Sequence, residues 1–273
     1  MFRMDSDRTK GRTAFALLEL IFHATVRNIR KSHGNAVIGL LMNIFQTLLM
    51  VVIFFVMMDL IGMRRNSIRG DFLLFIMSGV LMFMTHTKTV GAVMGADGPT
   101  SAMMKHSPMN TVVAITAAAL GALYLQLLSL GTVLYLYHAV WTPIEIHQPV
   151  ETMGMVLMAW GTGVGVGMLF LAARPWAPTA VGLLAQIYQR VNMIASGKMF
   201  VANMMPTYIL KMFDWNPLFH IIDQSRGFIF INYNPHYSSI AYPLQLTLAF
   251  VMIGLMGEYY TRQHASASWG AKG

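Results

Sequence analysis

The 273-residue chain contains no cysteine, which excludes a disulfide-stapled scaffold, a cysteine metal site and a thiol nucleophile. Charge is nearly as scarce. Asp, Glu, Lys and Arg make up 11% of the residues, less than half of the about 25% that a soluble domain carries. A globule of this size could not be clothed in so little polar surface, so a soluble all-helical protein is set aside. Catalytic signatures are missing too. No G-x-x-x-x-G-K-[ST] phosphate loop occurs: the Gly197-Lys198 pair has Asn192 where the first glycine belongs and Met199 in place of Ser or Thr. The chain therefore does not hydrolyse ATP by that route. Neither H-E-x-x-H nor G-x-S-x-G is present, and the nine histidines are scattered. No acid, base and nucleophile fall together, so no catalytic residue and no metal site are expected.

What the chain has in abundance is apolar sequence: 56% of residues are hydrophobic and 25 are methionine. The methionines lie mostly inside the apolar runs, where a flexible thioether fills irregular gaps between helices. A membrane-crossing helix needs about 20 apolar residues. Residues 36–58 hold no Lys or Arg and form span 1; 72–96 form span 2, with a single Lys88 in its second half. Span 3 lies inside 107–144, span 4 covers 152–173 and span 6 covers 240–257. Span 5 starts after Pro178 and then meets Arg190 and Lys198. The fold expected is an all-α membrane protein of about six spans.

Between Arg190 and Ile240 the chain is too apolar for a solvated loop and too broken by Pro206, Pro217 and Pro235 for two clean spans. Half-helices that dip into the bilayer and return fit this pattern, since irregular backbone at membrane depth survives only where protein or water satisfies it. An interfacial loop is the other reading.

The net charge of +8 is not a nucleic-acid signal, because much of it sits at the ends of apolar runs, where orientation is set. Arg3, Arg8, Lys10, Arg12, Arg27, Arg30 and Lys31 precede span 1, whereas the connection between spans 3 and 4 has Glu145 and Glu151 and no cation. This places both termini in the cytoplasm, with Lys105, Arg174, Arg262 and Lys272 on the same side. Arg64, Arg65 and Arg69 disagree, falling outside. The first dozen residues, dotted with Asp5 and Asp7, do not read as a cleavable signal peptide.

Ahead of span 1, Phe15, Leu18, Ile21, Phe22, Val26 and Ile29 recur at helical spacings, with Arg12, Glu19, Arg27, Arg30 and Lys31 between them. This predicts an amphipathic helix lying on the cytoplasmic membrane face, stopped near Gly34. Span 4 carries Gly161, Gly163, Gly165 and Gly167; the pairs four apart bring neighbouring backbones close. His86, His106, His138 and His147 sit near span ends, where interfacial packing is expected over metal ligation. Asp59 is expected at the outer interface. Asp223 and Arg226, three apart, suit an internal salt bridge near the membrane, with His220 on the same face.

Four features resemble the membrane subunits of type-2 ABC exporters of capsular polysaccharide and O-antigen. They are the basic helix running into RNIRKSHGNAVIGLLMNI; FLLFIMSGVLMFMTHTKTVGAVMGA as span 2; the connection SAMMKHSPMNTVVAI; and DWNPLFHIIDQSR, with its Asn-Pro-Leu-Phe-His element and trailing Arg226. The single lysine before span 3, the proline that follows a serine there and the basic loop at 64–69 depart from the family pattern.

The resemblance implies a half-transporter of the bacterial inner membrane. Residues 1–35 form a cytoplasmic N-terminus with the interface helix, 36–260 the permease with a re-entrant region at about 191–239, and 261–273 a cytoplasmic tail. Two copies line one channel, and a separate ATPase, which brings ATP and Mg, docks on residues about 12–33 and 96–108. Arg12, Arg27, Arg30, Lys31, Asp97, Lys105 and His106 are the candidate coupling residues. Asn216, Pro217, His220, Asp223 and Arg226 belong to the exit region. This chain binds no cofactor itself. Its partners are the ATPase, a second copy, the polysaccharide, membrane lipids and periplasmic or outer-membrane export proteins.

A hydrated glycan needs a polar and aromatic path through about 30 Å of hydrocarbon. Asn43, Gln46, Tyr124, Gln126, Trp160 and Tyr188 are the lining candidates, with helix–helix bonding as their other reading. A permease for a lipid, drug or teichoic-acid-like polymer, a membrane-bound transferase and a scaffold without a transport role are the competing classes.

Overall fold

The computed structural model describes residues 10–31, 36–62, 71–98 and 110–264, with backbone alone at 10–14, 16, 30, 31 and 36. Residues 63–70 and 99–109, and with them Arg64, Arg65, Arg69, Lys105 and His106, lie outside the described residues, as do both chain ends.

Among the described residues the regular structure is entirely helical. Helix α1 spans Lys10–Lys31 and α2 spans Ala36–Leu60. Then come α3 (Phe72–Met94), α4 (Thr111–Val140), α5 (Pro149–Ala173) and α6 (Pro178–Ala195). A 3-10 turn at Ala202–Met204, a one-turn helix α7 (Thr207–Leu210) and α8 (Pro217–Ile229) lead to α9 (Ala241–His264). Five of these helices, α2, α3, α4, α5 and α9, are long and apolar enough to cross a membrane. Helix α6 begins where span 5 was expected but carries Gln186, Gln189, Arg190 and Asn192, which dilute its hydropathy.

Local chemistry starts and stops the helices where the sequence breaks. Asp71 accepts from the Leu73 and Leu74 amides, and Asn110 accepts from Val112; each satisfies backbone donors that a first helical turn leaves free. Pro149, Pro178 and Pro217 sit in the first turns of α5, α6 and α8, where a missing N–H costs nothing.

Helix α5 is the spine, and its four glycines face two ways. A Cβ at Gly163 would lie 2.8 Å from the His86 carbonyl oxygen, and one at Gly167 would lie 2.7 Å from Val93 Cβ, both on α3. Cβ atoms at Gly161 and Gly165 would meet Thr247 at 3.4 Å and Phe250 at 2.9 Å, both on α9. Helix α9 answers with Gly254 against Met168 and Gly257 against Ala172. Small residues let these backbones approach, and dispersion contacts hold them there.

In each of these contacts the residue numbers rise together along both helices, so α3, α5 and α9 run parallel. Between Ala173 and Ala241 the chain must therefore return through the length of the bundle. The 18 residues of α6 cover about 27 Å of that return at 1.5 Å per residue. Helix α2 runs against α3, with Phe55 beside Phe72 at one end and Gln46 bonded to Lys88 toward the other.

Helix α1 has two apolar faces where one was expected. Phe15, Leu18 and Phe22 are exposed, while Leu20, Ile21 and Ala24 pack on Val113 and Ala117 of α4. The helix thus leans on α4 as well as presenting an exposed apolar stripe. Its stop near Gly34 lies outside the described residues.

Candidate functional site

Three groups of polar residues interrupt the apolar bundle. The first is the segment from the end of α6 to the start of α9. Gly197, in the left-handed region at φ 73°, reverses the chain after α6, and a Cβ there would sit 2.7 Å from the Phe219 ring. The tight turn that follows wraps Arg226 of α8. Arg226 Nη1 donates to the Gly197 and Phe200 carbonyls at 3.0 and 2.7 Å, and Nη2 to the Lys198 carbonyl at 2.8 Å. The guanidinium also stacks 4.0 Å from the Phe75 ring centre on α3.

Gly79 makes this approach possible, since a Cβ there would lie 2.9 Å from Lys198 Cα and 3.0 Å from Arg226 Nη2. Lys198 is itself buried, its ammonium 3.4 Å from the Phe83 ring centre and 4.7 Å from that of Phe54, without a hydrogen-bond partner among the described residues.

The expected Asp223–Arg226 salt bridge does not form. Asp223 accepts from the Tyr233 hydroxyl and, at 2.7 Å, from Ser238. The spacing of three along a helix was right, but the two side chains are drawn to opposite neighbours, carbonyls for the cation and hydroxyls for the acid. Burial, and then the Asp223 charge, push the Tyr233 phenol well above its ordinary value, so it stays protonated and donates.

His220 donates Nε2–H to the Asp214 carbonyl at 2.6 Å and accepts at Nδ1 from the Ser239 amide at 3.0 Å, which makes it a strut between the chain before α8 and the chain before α9. Asn216 caps α8 through Leu218 and donates to Asn192 and to the Ala195 carbonyl on α6, both at 2.9 Å; Pro217 follows at the first helical position. The Asn-Pro-Leu-Phe-His element is thus a clamp joining α6, α8 and α9. It brings all five exit-region residues into one segment.

The second group lies between α2, α3 and α4. Asn43 donates to Ser129 at 2.7 Å, and Gln126 donates to Asn43 at 3.3 Å, while Lys88 donates to the Gln46 carbonyl oxygen. Asn43, Gln46 and Gln126 all border a cavity of about 250 Å³. The other three lining candidates are elsewhere. Trp160 donates to the Ala119 carbonyl at 2.8 Å, tying α5 to α4. Tyr124 is exposed. Tyr188 bonds His86 Nε2 at 2.9 Å.

His86 departs from the interfacial placement expected of it. It is fully buried between α3, α5 and α6, with Nδ1 bonded to Thr162 at 3.0 Å. His138 and His147 do sit at exposed ends.

The third group is at the opposite end of the bundle from Asp71. Arg27 of α1, Asp97, Gly95 and Ala96 after α3, and Ala114 and Ala117 of α4 border a cavity of about 160 Å³. Arg12, Arg30 and Lys31 belong to the same helix α1. Asp71 itself went unremarked in the sequence, although an aspartate directly before FLLF is a helix-start signal. It takes hydrogen bonds from Tyr137 and Thr142 and borders a cavity of about 590 Å³.

Among the described residues no three His, Asp or Glu side chains are grouped to hold a metal. No protein-family model matches the chain. Two curated relatives do, both named polysialic acid transport protein KpsM, from Escherichia coli. They are 24% identical over 262 and 260 residues, with 93% of this chain and 98% of each relative covered. That likeness takes in nearly the whole of this chain and of each relative, so the chain is similar throughout its length to a polysialic acid transport protein.

Proposed function

We propose that two copies of this chain line a channel for an acidic capsular glycan in the bacterial inner membrane, driven by a separate ATPase subunit. The observation that carries the reading is the end-to-end likeness to a polysialic acid transport protein. Sugar hydroxyls and carboxylates cannot enter hydrocarbon unaided. A chain that moves such a polymer needs a polar path and an energy source that it does not encode.

Six crossings follow if α6 completes the return that parallel α5 and α9 require. Both termini then lie in the cytoplasm, on the side of Arg27, Arg174 and Arg262. The ATPase docks beside α1, where Arg27 and Asp97 share a cavity border. Helix α2 supplies a face for the second copy or for lipid: Val37, Leu41, Phe45, Leu49, Val52 and Val56 are exposed along it at helical spacing. The segment around Asn216, His220 and Arg226 caps the outer exit, and periplasmic and outer-membrane export proteins receive the glycan there.

Co-expression with the ATPase is the test. The reading expects a stable complex with two copies of each chain and ATP-dependent export. A complex that never forms, or catalysis by this chain alone, would contradict it and favour a membrane-bound transferase.

A further inference from the structure

Lys88 is a cation inside a membrane-crossing helix. It lies six residues before the end of α3, about 9 Å of helix from that end. Charges at such depth are costly and are found paired or facing a cavity. Among the described residues no carboxylate reaches Lys88, and Gln46 alone hydrogen-bonds it. An ammonium has three protons to donate, so two are left without a partner among the described residues.

The ordinary account of a lysine near a helix end is that it reaches toward the interface. Here the ammonium is bonded instead to a residue of α2 that sits ten positions inside that helix. Both residues border the 250 Å³ cavity, together with Asn28, Asn43 and Gln126. One cation surrounded by carboxamides matches a sugar carrying one carboxylate.

The geometry points to this cavity as the site that selects for negative charge in the transported glycan, with Lys88 binding one carboxylate and the Asn28 amide a neighbouring hydroxyl, while Asn43 and Gln126 form the fixed wall, bonded to each other, to Ser129 and to the Leu125 carbonyl. Lys88 is then a specificity-determining residue, not a packing one. The inference rests on the glycan-export reading and adds the residue that recognises the acid.

The test uses the full chain with its ATPase in nanodiscs of zwitterionic lipid. The probes are a short sialic acid oligomer and the same oligomer with its carboxylates methyl-esterified. Wild type should bind the acid form about tenfold or more tighter, as one charge-assisted hydrogen bond allows. Lys88→Gln should bring the two forms within about twofold of each other, and Lys88→Arg should keep the preference. Gln46→Glu, which sets a carboxylate against the ammonium, should also abolish it.

An unchanged preference in both Lys88→Gln and Gln46→Glu overturns the inference while leaving the export reading in place. A wild-type complex that binds neither oligomer overturns both. Displacement of the oligomer by glycerol phosphate at equal concentration, lost in Lys88→Gln, would assign the cavity to a lipid headgroup and overturn it as well.

Discussion

Arg226 lays its guanidinium 4.0 Å from the centre of the Phe75 ring, joining α8 to the first turn of α3 through a cation that, among the described residues, has no carboxylate beside it at hydrogen-bond distance. Its charge is balanced by three backbone carbonyls of one turn. Arg226→Ala would leave the Lys198 and Phe200 carbonyls without this donor, while Gly197 keeps its bond from the Phe200 amide, at about 3 kcal/mol or more. The expected outcome is a fall in thermal stability of the detergent-purified protein and export below about a tenth of normal. Arg226→Lys keeps the charge but not the fork, so export should be intermediate. Wild-type stability in Arg226→Ala would contradict this role.

The glycines of α5 make a sharper prediction, because two near-identical substitutions should differ. Gly163→Ala and Gly167→Ala press a methyl into the α3 backbone or Val93 and should destabilise by about 1–3 kcal/mol. Gly182→Ala on α6 meets nothing within 4 Å and should be neutral or stabilise by up to about 1 kcal/mol. Thermal melts of the three variants decide it, and equal melting temperatures would disprove the tight α3–α5 packing.

Asn216 has two separable jobs. Asn216→Asp retains the acceptor that caps Leu218 but removes the amide donor to Asn192 and Ala195. Asn216→Ala removes both. Stability should fall in the order wild type, Asp, Ala, with the Ala variant losing about 2–4 kcal/mol from a cap and two buried bonds. If Asp and Ala are equivalent, the cap contributes nothing.

Charge reversal at Arg27, alone or with Arg30 and Lys31, should leave the chain inserted and paired with its ATPase while ATP hydrolysis no longer drives export. The two rates measured on the same membranes would show the split. Export in proportion to hydrolysis would remove α1 from the coupling path.

The sequence made some of this plain and hid the rest for identifiable reasons. Helix positions followed from apolar runs and proline stops, so α2, α3 and α4 fell where expected. The glycine pairs of α5 signalled close packing, but a one-dimensional pattern did not say that alternate pairs serve α3 and α9. The ion pair expected between Asp223 and Arg226 failed because spacing along a helix knows nothing of the carbonyls that another segment offers. His86 was assigned to the interface because its partners, Thr162 and Tyr188, lie 76 and 102 residues away. The burial of Lys198 between aromatic rings has no local signature at all. Asp71 had one, a cap before an apolar run.

The central claim is that this chain provides the passage and another supplies the energy. Inside-out vesicles carrying the chain with its ATPase, given a labelled acidic glycan outside, measure that directly. The account predicts glycan accumulation that needs ATP and both subunits together. Accumulation with this chain alone, or none with both present and ATP being hydrolysed, would contradict it.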